Sequence, residues 1–182
     1  MKSLIIRITL SFVLLLSSQL TYGQLKDWAA GFRIGEPGGF MARKYSENGV
    51  NAIEVNIGTY GGLWGTDRTY QDGTFRNIGY SVNVLYLWHH PTLVNADLHT
   101  YYGFGPQINS RDWYPNKPSN NQADGRNRVS GMGATAIGGL EYFPIDAPNL
   151  SFFSEIGFYA EIFPNPFFMN LQGGIGVRVN FQ

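Results

Sequence analysis

The chain has 182 residues, a one-domain length, with 13 basic and 13 acidic residues, three histidines and no cysteine. That charge balance excludes nucleic acid as a partner, and the lack of cysteine excludes a disulfide-held scaffold. Charged residues make up 14% against about 25% in ordinary soluble domains, while aromatics reach 15% and glycines number 23, which suits a lipid-facing exterior better than a water-facing one.

In chain order, the first segment reads as a targeting signal. Lys2 and Arg7 supply positive charge, Ile8 to Leu16 form a short apolar core, and Ser17, Ser18, Thr21 and Gly23 are small or polar residues near a cut. The apolar run is shorter than the roughly 20 residues a spanning helix needs, so residues 1–23 are expected to be a signal peptide and 24–182 a single domain. Without Lys2 and Arg7, 11 of the 13 basic residues remain against 13 acidic ones.

Eight segments then alternate with period two, the signature of strands with one apolar face. Trp28, Ala30, Phe32 and Ile34 oppose Ala29, Gly31, Arg33 and Gly35 in the first. The second, Gly39 to Tyr45, has mixed faces. Ile53, Val55 and Ile57 oppose Glu54, Asn56 and Gly58 in the third. The fourth sets Tyr80, Val82, Val84, Tyr86 and Trp88 against Ser81, Asn83, Leu85, Leu87 and His89. The fifth sets Leu98, Thr100, Tyr102 and Phe104 against His99, Tyr101, Gly103, Gly105 and Gln107. In the sixth, Ala134, Ala136, Leu140 and Tyr142 oppose Thr135, Ile137, Gly139 and Glu141. In the seventh, Leu150, Phe152, Ile156 and Phe158 oppose Phe153, Glu155, Gly157, Tyr159 and Glu161. The eighth, Met169 to Phe181, alternates almost without fault and places Arg178 on the less apolar face. Its 13 residues exceed the roughly 9–11 that a tilted strand needs to cross a bilayer.

The connections alternate as well. Ser46–Val50, His90–Asn95 and Pro144–Asn149 are short and turn-like, whereas the other set contains the two long ones, Tyr60–Gly79 and Ile108–Ser130. Short periplasmic turns and longer outer loops belong to outer-membrane barrels, and an even strand count returns both termini to the periplasm. The expected fold is therefore an all-β, eight-stranded antiparallel up-and-down transmembrane β-barrel. The apolar face should meet lipid, because the opposite face is mostly Gly, Asn and Ser with isolated charges. Aromatics gather near strand ends, Trp28, Tyr45, Trp88, Tyr142 and Phe181 at one and Tyr60, Tyr80 and Phe158 at the other, as membrane-interface belts require.

Three runs carry a family resemblance: Gly31-Phe32-Arg33-Ile34-Gly35, Thr100-Tyr101-Tyr102-Gly103-Phe104-Gly105-Pro106 and Gly173 to Phe181. With them the mature chain resembles the small outer-membrane β-barrel proteins of gram-negative bacteria, of the outer membrane protein A/X-like kind. The resemblance implies a cell outer membrane location and a final strand, ending on Phe181 before Gln182, that addresses the barrel-assembly machinery. A monomer and no cofactor are expected.

Inside an eight-stranded barrel there is room only for side chains, and charges there must pair. Arg33, Glu54, Glu141, Glu155 and Arg178 are read as an interior ion-pair network, with Glu161 a further inward carboxylate. Glu155 is the first expected partner of Arg178 and Glu141 the second. His89 and His90 beside Pro91 lack a third ligand for a metal. The long loops carry the expected interaction surface: Trp64, Arg68, Tyr70 and Arg76 in one, Arg111, Trp113, Tyr114, Arg126 and Arg128 in the other. Arginines among aromatics suit recognition, and here they suit lipopolysaccharide head groups or an outside partner. The competing reading is an enzyme that removes or transfers acyl chains of outer-leaflet lipid. His99 falls near the periplasmic end and Thr100 on the opposite face, so no nucleophile and base converge in the sequence.

Overall fold

The computed structural model describes residues 27–47, 49–63, 68–91, 97–116 and 126–181. The proposed signal segment 1–23 and Trp64 lie outside them. Eight long strands form the barrel: β1 (Trp28–Glu36), β2 (Gly38–Tyr45), β3 (Asn51–Tyr60), β6 (Gly79–Pro91), β7 (Leu98–Pro115), β8 (Asn127–Tyr142), β9 (Leu150–Phe163) and β10 (Met169–Phe181). Each pairs antiparallel with the next, β3 with β6 across an inserted hairpin, and β10 pairs with β1 to close the ring. Closure leaves no free edge within the lipid layer, where an unpaired backbone group would have no water to bond.

The alternation orients every stave. Outward residues form a continuous apolar wall, with Ile34, Phe40, Ile57, Phe104, Ile156 and Ile175 well exposed. Inward residues are largely polar or glycine, with Met41, Leu85, Leu87, Tyr101, Phe153 and Tyr159 packed among them. The glycines make room for large neighbours: a Cβ on Gly139 would lie 2.7 Å from Tyr101 Cζ, and one on Gly176 2.3 Å from Phe153 Cζ. Small residues opposite bulky ones let a narrow barrel fill its interior without voids.

Four expectations need correction. The second strand is regular, with Met41, Arg43 and Tyr45 inside and Phe40, Ala42 and Lys44 outside. Tyr45 and Tyr60 are buried inside the barrel and so take no part in the interface belts, because their positions follow the inward phase of their strands. The fifth strand continues past Gln107 to Pro115 and the sixth begins at Asn127, so both ends of the expected loop 108–130 form a ladder from Ser110↔Ser130 to Trp113↔Asn127. That extension mixes Trp113, Tyr114 and Val129 with polar residues on both faces, which removes the period-two hydrophobic signal while the pairing persists. Lastly, the expected loop 60–79 contains a short hairpin, β4 (Arg68–Tyr70) and β5 (Gly73–Phe75). β5 pairs with β7 at Trp113–Pro115, beyond the start of β6.

Candidate functional site

Two places concentrate polar chemistry: the barrel interior and the wall that rises from the end opposite the termini.

In the interior, three arginines and three glutamates from six staves are interlocked. Arg43 donates through Nε to Glu54 Oε2 at 2.7 Å, and its Nη1 lies 2.7 Å from Glu141 Oε2. Arg178 reaches three carboxylates: Glu141 at 3.0 Å, Glu155 at 3.1 Å and Glu54 at 3.2 Å. Arg33 Nη1 lies 2.8 Å from the other oxygen of Glu155. The formal charges of these six groups cancel. Neutral bonds extend the network. Ser151 Oγ donates to Glu141 at 2.6 Å and the Tyr101 hydroxyl to Glu155. Asn56 Nδ2 contacts both Glu54 and Asn83, and Asn83 leads to Gln107 and Asn109. Aromatic rings cover the guanidinium faces, with Arg178 Cζ 3.6 Å from the Phe153 centroid and Arg43 Cζ 4.8 Å from that of Tyr101. A buried charge is tolerable only when it is paired and hydrogen-bonded in this way.

All five residues expected in this network are in it. Arg43 and His89 were missed. Arg43 sits on the strand whose faces looked mixed, where Lys44 beside it masked the phase. His89 Nε2 lies 2.9 Å from Arg43 Nη1, so it accepts from the guanidinium, and the ring stacks on Tyr101. His90 is on the outer wall against Tyr102, so the two histidines face opposite ways. His99 packs on Phe143, while Thr100 Oγ1 donates to the backbone oxygen of His90.

At the other end, the β4–β5 hairpin leans from β7 across the barrel mouth to β9 and β10. Trp113 Nε1 donates to the Tyr70 carbonyl at 2.9 Å on the β7 side. On the far side the Tyr70 hydroxyl donates to Glu161 Oε1, and Arg68 Nη2 donates to the Met169 carbonyl at 2.9 Å. The rings of Tyr70, Phe75 and Phe168 pack together beneath, with centroids 4.3–6.3 Å apart. Burial, followed by the bond to Glu161, raises the Tyr70 hydroxyl above the ordinary tyrosine value. Arg111 Nε donates to the Asn77 carbonyl, and its guanidinium lies over Phe75.

Tyr70 and Arg111 are therefore buried parts of this cap, not of an exposed loop surface, because Tyr70 reaches from the hairpin to Glu161 and Arg111 lies on the inward phase of β7. Trp113 and Tyr114 are half-buried, and Arg76, Arg126 and Arg128 are exposed. Arg126 pairs with Asp112 at 2.9 Å.

No protein-family model matches the chain, and no curated protein matches it in sequence. Among solved structures, the N-terminal β-barrel domain of Pseudomonas aeruginosa OprF superposes with a TM-score of 0.61 at 14% identity, covering 87% of this chain and 100% of that domain. Neisserial surface protein A gives 0.49 at 16% identity over 85% and 93% of the two chains. Ail, the attachment invasion locus protein of Yersinia pestis, gives 0.45 at 15% over 84% and 92%. With its apolar outer wall and ion-paired interior, the chain has the fold of a closed, eight-stranded outer-membrane β-barrel.

Proposed function

We propose that this protein is an integral outer-membrane barrel with both termini in the periplasm. Its role is structural and interactive rather than conductive. The observation that carries the reading is the pairing of a continuous apolar exterior with an interior filled by Arg43, Arg178, Glu54 and Glu141, all essentially inaccessible. Such a barrel gains its membrane location from its outer wall and gives no wide path through its centre. What it presents to partners is the extended end of β7 and β8 with the β4–β5 cap, which on this topology stands outside the cell. That surface contacts lipopolysaccharide or an outside partner, and the final strand engages the assembly machinery.

The chain has no cysteine, so single cysteines report topology cleanly. Arg76→Cys should react with a membrane-impermeant maleimide on intact cells, and Glu47→Cys should react only after the outer membrane is permeabilised. The opposite pattern would invert the topology, and labelling of neither in the membrane fraction would refute the location.

A further inference from the structure

The outer wall shows where the lipid layer ends. On the β7–β8 ladder, Ile108 faces Met132, and both are about half exposed. One outward layer higher, Ser110 faces Ser130, and above it Asp112 faces Arg128. On the neighbouring stave Val82 sits beside Ile108 and Tyr80 beside Ser110. Across β9, Phe163 pairs with Met132, and the apolar wall continues to that same level through Ile162. Thus the apolar surface of β7 and β8 stops at one height and the two strands continue above it, with Ile78 before β6 the exposed apolar residue beyond Tyr80. The first polar layer lies where lipid head groups begin.

Arginines lie just above that layer. Arg128 donates through Nε to Ser110 Oγ at 3.1 Å, and its guanidinium lies 5.6 Å from the Tyr80 ring centroid. Arg76 lies 5.2 Å over the Tyr114 ring. Asp112 is the acid of this strip among the described residues, and Arg126 pairs with it. Among the described residues Arg76 and Arg128 form no salt bridge, Asp112 opposite Arg128 being paired with Arg126, and they are held by rings and a hydroxyl. A guanidinium fork matches the oxygens of a phosphate group.

We propose that Arg128 and Arg76 form a binding strip on the outer wall of β6–β8 for the phosphate groups of outer-leaflet glycolipid, that is, of lipopolysaccharide. This rests on the outer-membrane reading above and names the ligand and residues of its lipid contact. Tyr80 is the interfacial ring beneath the strip, Ser110 fixes the Arg128 stem, and the apolar residues below meet the acyl chains. The lipid source is favoured over a soluble anion because the strip directly adjoins the apolar band.

The full barrel should be inserted into phosphatidylcholine nanodiscs carrying a small fraction of lipopolysaccharide or of dephosphorylated lipopolysaccharide, and retained lipid measured by native mass spectrometry. The protein should retain the phosphorylated form preferentially. The Arg76→Gln/Arg128→Gln variant should lose that preference at least about tenfold, since each basic residue near a charged membrane surface contributes on the order of 1 kcal/mol. Arg126→Gln, whose wild-type arginine is spoken for by Asp112, should retain it. Equal retention of the two lipids, or full preference in the double variant, would overturn the assignment. Release by millimolar inorganic phosphate at constant ionic strength would reassign the strip to a soluble anion and overturn the lipid source. Failure of the folded protein to enter the nanodisc would refute the membrane reading itself, whereas insertion without preference refutes only the strip.

Discussion

Arg43 and Arg178, from strands on either side of β1, are bridged twice, through Glu54 and through Glu141. Arg43 Nη2 and Arg178 Nη2 lie 2.6 and 3.2 Å from the same oxygen, Glu54 Oε2, while Glu141 offers one oxygen to each arginine. Two like charges share a narrow interior because acids stand between them.

Removing one arginine strands the acids. Arg178→Met should lower stability by about 3–5 kcal/mol, the usual cost of breaking a buried pair from one side. Adding Glu155→Gln should restore part of the loss, because the remaining interior charges then balance. Urea unfolding in detergent or bilayer reads both effects, and strictly additive losses in the double-mutant cycle would show that the two residues are uncoupled.

The interior leaves no wide path for ions. Leu85, Leu87 and Tyr101 are buried at the levels of the arginines, and His89 closes one side. Reconstituted protein should show no large, steady conductance in planar bilayers. Arg43→Ala, which empties part of the plug, should be the first variant to produce brief openings. A stable open level in the unaltered protein would refute the packed interior.

Phe153 is wedged between Gly176 on its partner strand and the face of Arg178. A methyl group at Gly176 would sit 2.3 Å from the Phe153 ring and equally close to the Phe32 carbonyl, which is backbone and moves little. Gly176→Ala should therefore cost about 1–3 kcal/mol by overpacking. The companion Gly176→Ala/Phe153→Leu should recover some of it by clearing the ring. No recovery would place the strain at the backbone contact alone.

The cap should open in alkali. Because the Tyr70 hydroxyl is raised above its ordinary value in the closed form, its contribution is complete below that value, near pH 10, and declines as the pH rises beyond it. Amide exchange in Arg68–Phe75, corrected for the intrinsic effect of pH, should quicken above about pH 10 while the barrel staves stay protected. Tyr70→Phe should exchange faster already at neutral pH, having lost the bond to Glu161, and should lose the alkaline step. An unchanged alkaline step in that variant would assign it to another group.

Alternation along the chain was enough to determine the architecture. Once Met169 to Phe181 and its seven counterparts are read as strands with one apolar face, their number, length and loop pattern leave a membrane barrel, and the inward phase already contains Arg33, Glu54, Glu141, Glu155 and Arg178. The periodicity works because the solvent on each face is uniform: lipid outside, packed polar groups inside. Where that contrast ends, the signal ends too, so the upper parts of β7 and β8 and the β4–β5 hairpin were unreadable even though their ladders are regular. The meeting of Arg178 with Glu155 and Glu141 was legible from strand order, but the other interior meetings were beyond the sequence, because they depend on the slant of the closed sheet. Arg43 and Glu141 are 98 positions apart, and Asn170 donates to Glu36 across 134. Closure of β10 on β1, with its particular register, sets the heights that join them, and the same register decides that Tyr70 becomes part of a cap while Arg128 is left on the outer wall.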